Sequence, residues 1–385
     1  MREVAGALKI AVVHSFYGSS SPSGENQVVE SQVRSLEAAG HEVRVIGRRT
    51  EDVSRGALYR TRVGLTTATG RGPSPVGAIR DFSPDIVHVH NLFPNWGQNW
   101  LRGLGVPVVA SIHNFRPLCA AGTLYLAGNF CNLCPTQGSH HAVANRCYRD
   151  SAIATIPLAI ASRESYESQF LPQHVDRLIF LSDDQRLTYE TLSSTLPHAR
   201  VIRNFVPDID AIPADVTPSE GWCYIGRISE EKGVLDLLAH WPRDRKLNLY
   251  GDGPAVGEVM RSQSANISYH GPLDNSRVPE VLATHQGLMF PSKVSEVSPL
   301  SYIEALRSGR PVVAFAANAA AKDISAHGGR GGRVFEAWAD IDSCLGELEE
   351  NRAVRREARD IYLENYSEAS WIAAIENLYA EVIDR

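Results

Sequence analysis

Lysine is nearly missing from this chain of 385 residues: five of its 38 basic residues are lysine, and 44 acids outnumber the bases. The net charge of −6 leaves no basic surplus to neutralise phosphates along a strand, which excludes a general nucleic-acid binder. Long apolar runs are absent too. Crossing a bilayer takes about 20 such residues, and the longest run, AIATIPLAIA at 152–161, is half that and holds Pro157, so it reads as a buried helix. The first residues lack a cleavage-site pattern. The expected location is therefore the cytoplasm, and peripheral contact with the inner face of the membrane is compatible with it. Six cysteines are too few for a disulfide scaffold in a chain this long. Four of them cluster as Cys119, Cys131, Cys134 and Cys147. Their C-x2-C core suits a structural zinc, with His140 or His141 able to replace one sulfur. Reduced cysteines packing a loop are the other reading.

What is present is alternation. Apolar runs predict strands at 8–13, 41–47, 85–90, 106–112, 176–182 and 199–203, then at 221–226, 246–250, 267–270, 287–291 and 311–315. Helical patterns separate them, as in ENQVVESQVRSLEAAG, which Gly40 closes. Two further helices are expected at 341–364 and 369–383. The α/β pattern implies two doubly wound parallel sheets, with ligands outside the carboxyl ends of the strands. The Pro- and Asp-rich stretch 203–221 reads as the boundary, and 60–77 as a surface loop.

Several strand ends carry chemistry. In WCYIGRISEEKG, Arg227 and Lys232 follow a strand and precede a helix, which suits a diphosphate or a solvated pair balancing Glu230 and Glu231. In SEVSPLSYIEALRSG, Ser298 fits an N-cap, Pro299 the first helical position and Gly309 the residue past the end. Glu296 stands just before this helix and Glu304 within it. LYGDGPAVGEV imitates a dinucleotide fingerprint without the acidic residue that would hold an adenosine ribose, so a nicotinamide enzyme is disfavoured. The DID at 208–210 lies in the linker and reads as a turn. His90 and Asn91 end one strand, His113 and Asn114 the next, and together they suit sugar hydroxyls.

In this order, GRISEEKG, LYGDGP, YHG and SEVSPLSYIEALRSGRPVVA resemble the second domain of retaining glycosyltransferases of family 4, which have the GT-B fold. In the first half SPSGENQVVESQVRSLEAAGHEV, DIVHVHN and SIHNFR agree. The resemblance implies two Rossmann-like domains facing across a cleft: 1–205 for the acceptor, with a Cys-rich insert at 116–150, and 206–365 for the donor. A helix in 366–385 is expected to return to the first domain. The implied reaction is metal-independent transfer, with retention, from an NDP-sugar to a glycan, glycolipid or small-molecule acceptor, with no catalytic cofactor.

The resemblance also implies residue roles. Glu296 holds hydroxyls of the transferred sugar, and Glu304 those of the ribose. The helix-start segment Ser298, Pro299, Leu300 and Ser301 joins Arg227 and Lys232 on the diphosphate, through the N–H groups it carries. Gly24 lets backbone approach the donor phosphate, His113 stands beside the reacting carbon, and the base lies near Gly271 and Pro272. From their place at the two strand ends, His90, Asn91 and Asn114 are expected to line the acceptor or sugar pocket. Val297 and Ser298 replace the common Gly–Phe, so donor identity transfers less well than activity, and Phe205 replaces a usual glycine at the hinge after Asn204. The alternatives are an epimerase or phosphorylase on the same fold, or a non-catalytic nucleotide-sugar-binding protein.

Overall fold

The computed structural model describes residues 6–18, 24–53, 58–209, 220–351 and 353–384. Residues 1–126, 131–204 and 371–385 form one compact unit, and residues 127–130 and 205–370 form another.

The first unit holds a six-stranded parallel sheet made of β1 (Lys9–Phe16), β2 (Glu42–Arg49), β3 (Ile86–Val89), β4 (Val108–Ile112), β5 (Arg177–Phe180) and β6 (Ala199–Val201). Their spatial order is β2-β1-β3-β4-β5-β6. The second sheet comprises β7 (Trp222–Ile225), β8 (Leu247–Tyr250), β9 (Ile267–Tyr269), β10 (Leu288–Phe290), β11 (Val312–Phe315) and β12 (Gly332–Phe335), ordered β9-β8-β7-β10-β11-β12. Both are the α/β doubly wound sheets expected. In each, chain order reverses once, between β1 and β3 and between β7 and β10. Loops leaving neighbouring strands at a reversal diverge and open a crevice at the carboxyl edge.

Helices cover both faces, so central strands are apolar throughout rather than alternating. In β11, Val312 and Ala314 join one core cluster and Val313 the opposite one. The helix Glu368–Ile383 packs on the first sheet. Its Tyr379 hydroxyl meets His88 Nδ1 at 2.7 Å, and its Glu381 accepts from the buried Arg177 at 2.6 Å.

Three sequence expectations need correction. The 60–77 stretch is not a loop throughout: after α1, Gly24–Ala38, the helix α2, Tyr59–Thr69, occupies most of that stretch. It forms despite weak propensity because it packs on α3, Ala152–Ala161. A Cβ on Gly64 would stand 3.3 Å from Pro157 Cγ. The run at 152–161 is a helix but not a buried one, since Ile153 is 82% exposed. The expected helix at 341–364 is two, Ile341–Glu350 and Val354–Asn365. Strand β12 was not anticipated, because its glycine-rich approach, GGRGGRVF, masks a short apolar core.

The dinucleotide-like glycines have a packing reason. Gly251 has φ +142, and a Cβ there would lie 1.8 Å from the Gly226 carbonyl oxygen. Two strand-end loops thus touch backbone to backbone, with the Gly226 N–H donating to the Tyr250 carbonyl and the Ile228 N–H to that of Asp252. Gly251→Ala is expected to cost about 3 kcal/mol by chemical denaturation, since backbone must shift to admit the methyl.

Candidate functional site

In the second unit every sequence-predicted donor residue lies at the carboxyl edge of the sheet. Arg227 and Lys232 follow β7, Gly271 and Pro272 follow β9, and Glu296 to Ser301 follow β10. The first and third groups flank the strand-order reversal. Two contacts tie their loops together. The Lys293 N–H donates to the Glu231 carbonyl at 3.0 Å, and Lys293 Nζ donates to Asp236 at 2.8 Å. Gly233, φ +70, passes so near Pro291 that a Cβ would meet its carbonyl oxygen at 2.1 Å. This brings Lys232 Nζ to 2.8 Å from Glu296 Oε1. The pair is a close electrostatic contact without hydrogen-bond geometry, and Oε1 has no hydrogen-bond partner among the described residues.

Arg227 is exposed, on a loop fixed by the Tyr224 hydroxyl, which donates to the Arg227 carbonyl at 2.6 Å. Lys232 ends a short 3-10 turn, Glu230–Lys232, rather than opening a helix.

The helix after Glu296 is α4, Leu300–Arg307. It starts one residue later than the sequence suggested. Pro299, with ψ 115, is the N-cap and Ser298 lies outside. Proline has no N–H, so the first-turn amides turned toward an anion are those of Leu300 and Ser301. Glu304 projects from this helix, and burial pushes its carboxyl up to about 7, against a smaller downward pull from Arg307. Pro272 lines a pocket of about 310 Å³ with Tyr250, His270 and Arg277.

In the first unit, His90, Asn91, His113 and Asn114 line one cavity of about 270 Å³ at the ends of β3 and β4, so the structure does bring them together. His90 Nδ1 and His113 Nε2 share a hydrogen bond of 2.9 Å. Burial drives His113 down to about 3 and His90 well below its ordinary value, so both rings are neutral near pH 7. Beneath them Tyr379, His88 and Ser111 form a hydrogen-bonded chain, with His88 stacked on His90. The Asn91 and Asn114 carbonyl oxygens are engaged by the Phe93 and Arg116 amides, which leaves their NH2 groups as the functional ends; that of Asn91 donates to the Tyr17 hydroxyl. Gly24 is exposed and is the first residue of α1.

Two residues escaped sequence reading. Glu25, next to Gly24, is half-buried and raised to about 7 by desolvation, with Asn91 and Arg116 pulling it down; its buried Oε1 has no hydrogen-bond partner among the described residues. From sequence it was only an acid in a first helical turn. Asn318, fully buried, donates from Nδ2 to the Phe290 and Ser292 carbonyls and so pins the loop that carries Glu296. Nothing in AANAA signals that.

Cys119, Cys131, Cys134 and Cys147 are free thiols within electrostatic reach of one another. Burial and the neighbouring sulfurs push Cys134 up to about 11. Among the described residues no group of three or more His, Cys, Asp or Glu side chains is placed to hold a metal ion. In the DID turn, Asp208 is bound by Arg359 at 2.6 Å, and Asp210 lies outside the described residues. Among the described residues no helix is long and apolar enough to cross a membrane.

Two family models match the chain, one in each unit. A glycosyl transferase 4-like domain matches residues 23–204, and a glycosyl transferases group 1 domain matches 220–348. No curated protein sequence matches the chain. Among solved structures, sucrose-phosphate synthase from Thermosynechococcus elongatus is similar at TM-score 0.68 and 16% identity, covering 98% of this chain and 99% of that one. A Rickettsia africae glycosyltransferase follows at 0.65 and 15%, covering 98% and 99%. Anabaena Alr3699/HepE, solved in complex with UDP and glucose, gives 0.58 and 15%, covering 97% and 100%. At such identities the structures speak for the fold, and the two domain matches speak for the family. The chain belongs to the family 4-like glycosyltransferases of the GT-B fold.

Proposed function

We propose that this glycosyltransferase moves a sugar from a nucleoside diphosphate sugar, held by the second unit, to a hydroxylated acceptor held by the first, with retention of configuration. The observation that carries the proposal is the Lys232–Glu296 contact beside the start of α4, at the strand-order reversal. An exposed arginine, a lysine and two helix-start amides suit a diphosphate, and carboxylates before and within the helix suit hydroxyls. Donor binding gives Lys232 a phosphate in place of Glu296, and frees that carboxylate for hydroxyls of the transferred sugar. Glu304 takes the ribose hydroxyls, and the base lies at Gly271 and Pro272. That Alr3699/HepE was solved with UDP and glucose supports a nucleotide-sugar donor.

Chemically, the bond between the anomeric carbon and the diphosphate oxygen breaks as the acceptor oxygen bonds to that carbon on the same face. The departing phosphate oxygen takes the acceptor proton. Arg227, Lys232 and the amides of Leu300 and Ser301 stabilise the negative charge that develops on the leaving group. In this reading they meet the need that a divalent cation serves elsewhere. The neutral His90–His113 pair offers hydrogen bonds to acceptor hydroxyls without adding charge, and His113 keeps the role beside the reacting sugar.

A thermal-shift screen of UDP-, GDP-, ADP- and TDP-sugars in chelator tests the donor class. A donor at 100 times its dissociation constant adds about 2.7 kcal/mol of stability. Transfer by the hit should give a product whose anomeric configuration, read by NMR, matches the donor. An inverted product refutes retention, and an epimerised donor formed without acceptor refutes transfer. Glu296→Ala should reduce turnover at least tenfold while changing nucleoside diphosphate affinity little, because the lost hydrogen bonds go to the sugar.

A further inference from the structure

The helix α3 carries no charged residue and turns Ile153, Ile156 and Ile160 outward, 82%, 43% and 38% exposed. Their spacing places them on one helical face. Leu58 and Leu65, 70% and 61% exposed, belong to the start and body of α2, which is packed against α3. The charged residues of α2 are two exposed arginines, Arg60 and Arg62, with no carboxylate. Just before α3 come exposed Arg146 and Arg149, both in left-handed backbone conformation, with Asp150 the one acid of that turn. Tyr59 lies within electrostatic reach of Tyr148 and Arg149, so the start of α2 and the segment entering α3 are neighbours. After α3, Arg163 is paired with Glu164, which offsets its charge. In an acidic chain, this is a basic rim around an apolar face.

We propose that the α2–α3 face is a docking surface for an anionic lipid bilayer. Isoleucines entering the acyl boundary while arginines meet headgroup phosphates is the arrangement of interfacial helices. A second copy fits less well, since a two-fold contact would set Arg60, Arg62, Arg146 and Arg149 against the same residues of the partner. The cavity holding His90 and His113 is also lined by Thr66 to Gly70 of α2 and its end, and by Leu158, Ile160 and Ala161 of α3. Resting on the acceptor reading above, this sets the pocket mouth beside the bilayer and selects an acceptor with a lipid portion.

Vesicle co-sedimentation of the full chain tests this without any transfer reaction, so its failure leaves the proposed activity standing. The chain should sediment with mixed phosphatidylcholine–phosphatidylglycerol vesicles, less so at high salt, and weakly with phosphatidylcholine alone. Ile153→Asp with Ile156→Asp should cut partitioning at least about tenfold. Arg60→Ala and Arg62→Ala should each cut it about fivefold. These side chains are exposed, and unchanged circular dichroism and donor thermal shift would show the variants folded. No binding to anionic vesicles, or equal binding by the aspartate variants, overturns the proposal. So does a dimer by sedimentation velocity that Ile153→Asp dissolves, because then a second copy covers the face.

Discussion

Replacing Arg227 and Lys232 together by alanine is expected to lower turnover by about a thousandfold or more, with a smaller loss in donor affinity. Removing one donor that stabilises charge developing in a transition state typically costs about 10²–10³ in rate. Both cations are placed on the leaving diphosphate in this account. Lys232→Ala alone also strands Glu296, whose close contact is the lysine ammonium. The loss should therefore be read through a double-mutant cycle with Glu296→Ala, where coupling separates the shared contact from the catalytic effect. Lys232→Arg should not restore full activity, since a planar fork does not reproduce a point charge on a short approach. Single-turnover rates would check this. Near wild-type turnover in the double variant would remove both residues from the chemistry.

Glu304→Gln is expected to make the free protein more stable and its nucleotide binding weaker at the same time. The folded carboxyl sits at about 7, above its unfolded value, because burial disfavours its charge. For an acid raised on folding, stability falls as pH climbs from the unfolded value to about 7, then stays low. Glutamine avoids that loss, so the variant should gain on the order of 2 kcal/mol above pH 7 and nothing near pH 4. Binding runs the other way. Ribose hydroxyls donate to the carboxylate, so wild-type affinity should rise with pH up to about 7 and then level. In the variant affinity should be about ten- to a hundredfold weaker at pH 8 and nearly flat with pH. Glu25 also titrates near 7 but lies in the first unit, so it should not restore the slope. Denaturation and nucleotide titration across pH, on the same two proteins, check both signs.

Much of this was legible in the sequence, for reasons that differ by element. Buried parallel strands are continuous apolar runs, so eleven of the twelve main strands declared themselves, and β12 did not because glycines surround it. Glu296 and Glu304 stood out because the helix that starts after the first and contains the second is punctuated by proline before it and glycine after it. The one-residue error at its start came from giving the cap to Ser298 on residue type, when the backbone of Pro299 takes that place. Helix α2 was missed because its threonines and Gly64 read as a loop, and packing against α3 supports it, with Gly64 beside Pro157. The outward isoleucines of α3 were misread for a related reason. Composition shows that a run is apolar, but not whether a second layer covers it. Glu25 and Asn318 act through burial and long-range partners, which no local pattern encodes.

The most direct measurement is calorimetric titration of nucleoside diphosphates into wild type and Glu304→Ala, in chelator, at pH 8. One diphosphate should bind wild type as tightly as it does with magnesium present, and at least tenfold more weakly to the variant. Equal affinities in the two proteins, or binding that appears only on adding magnesium, would contradict a diphosphate held by Arg227, Lys232 and the start of α4 with Glu304 on the ribose.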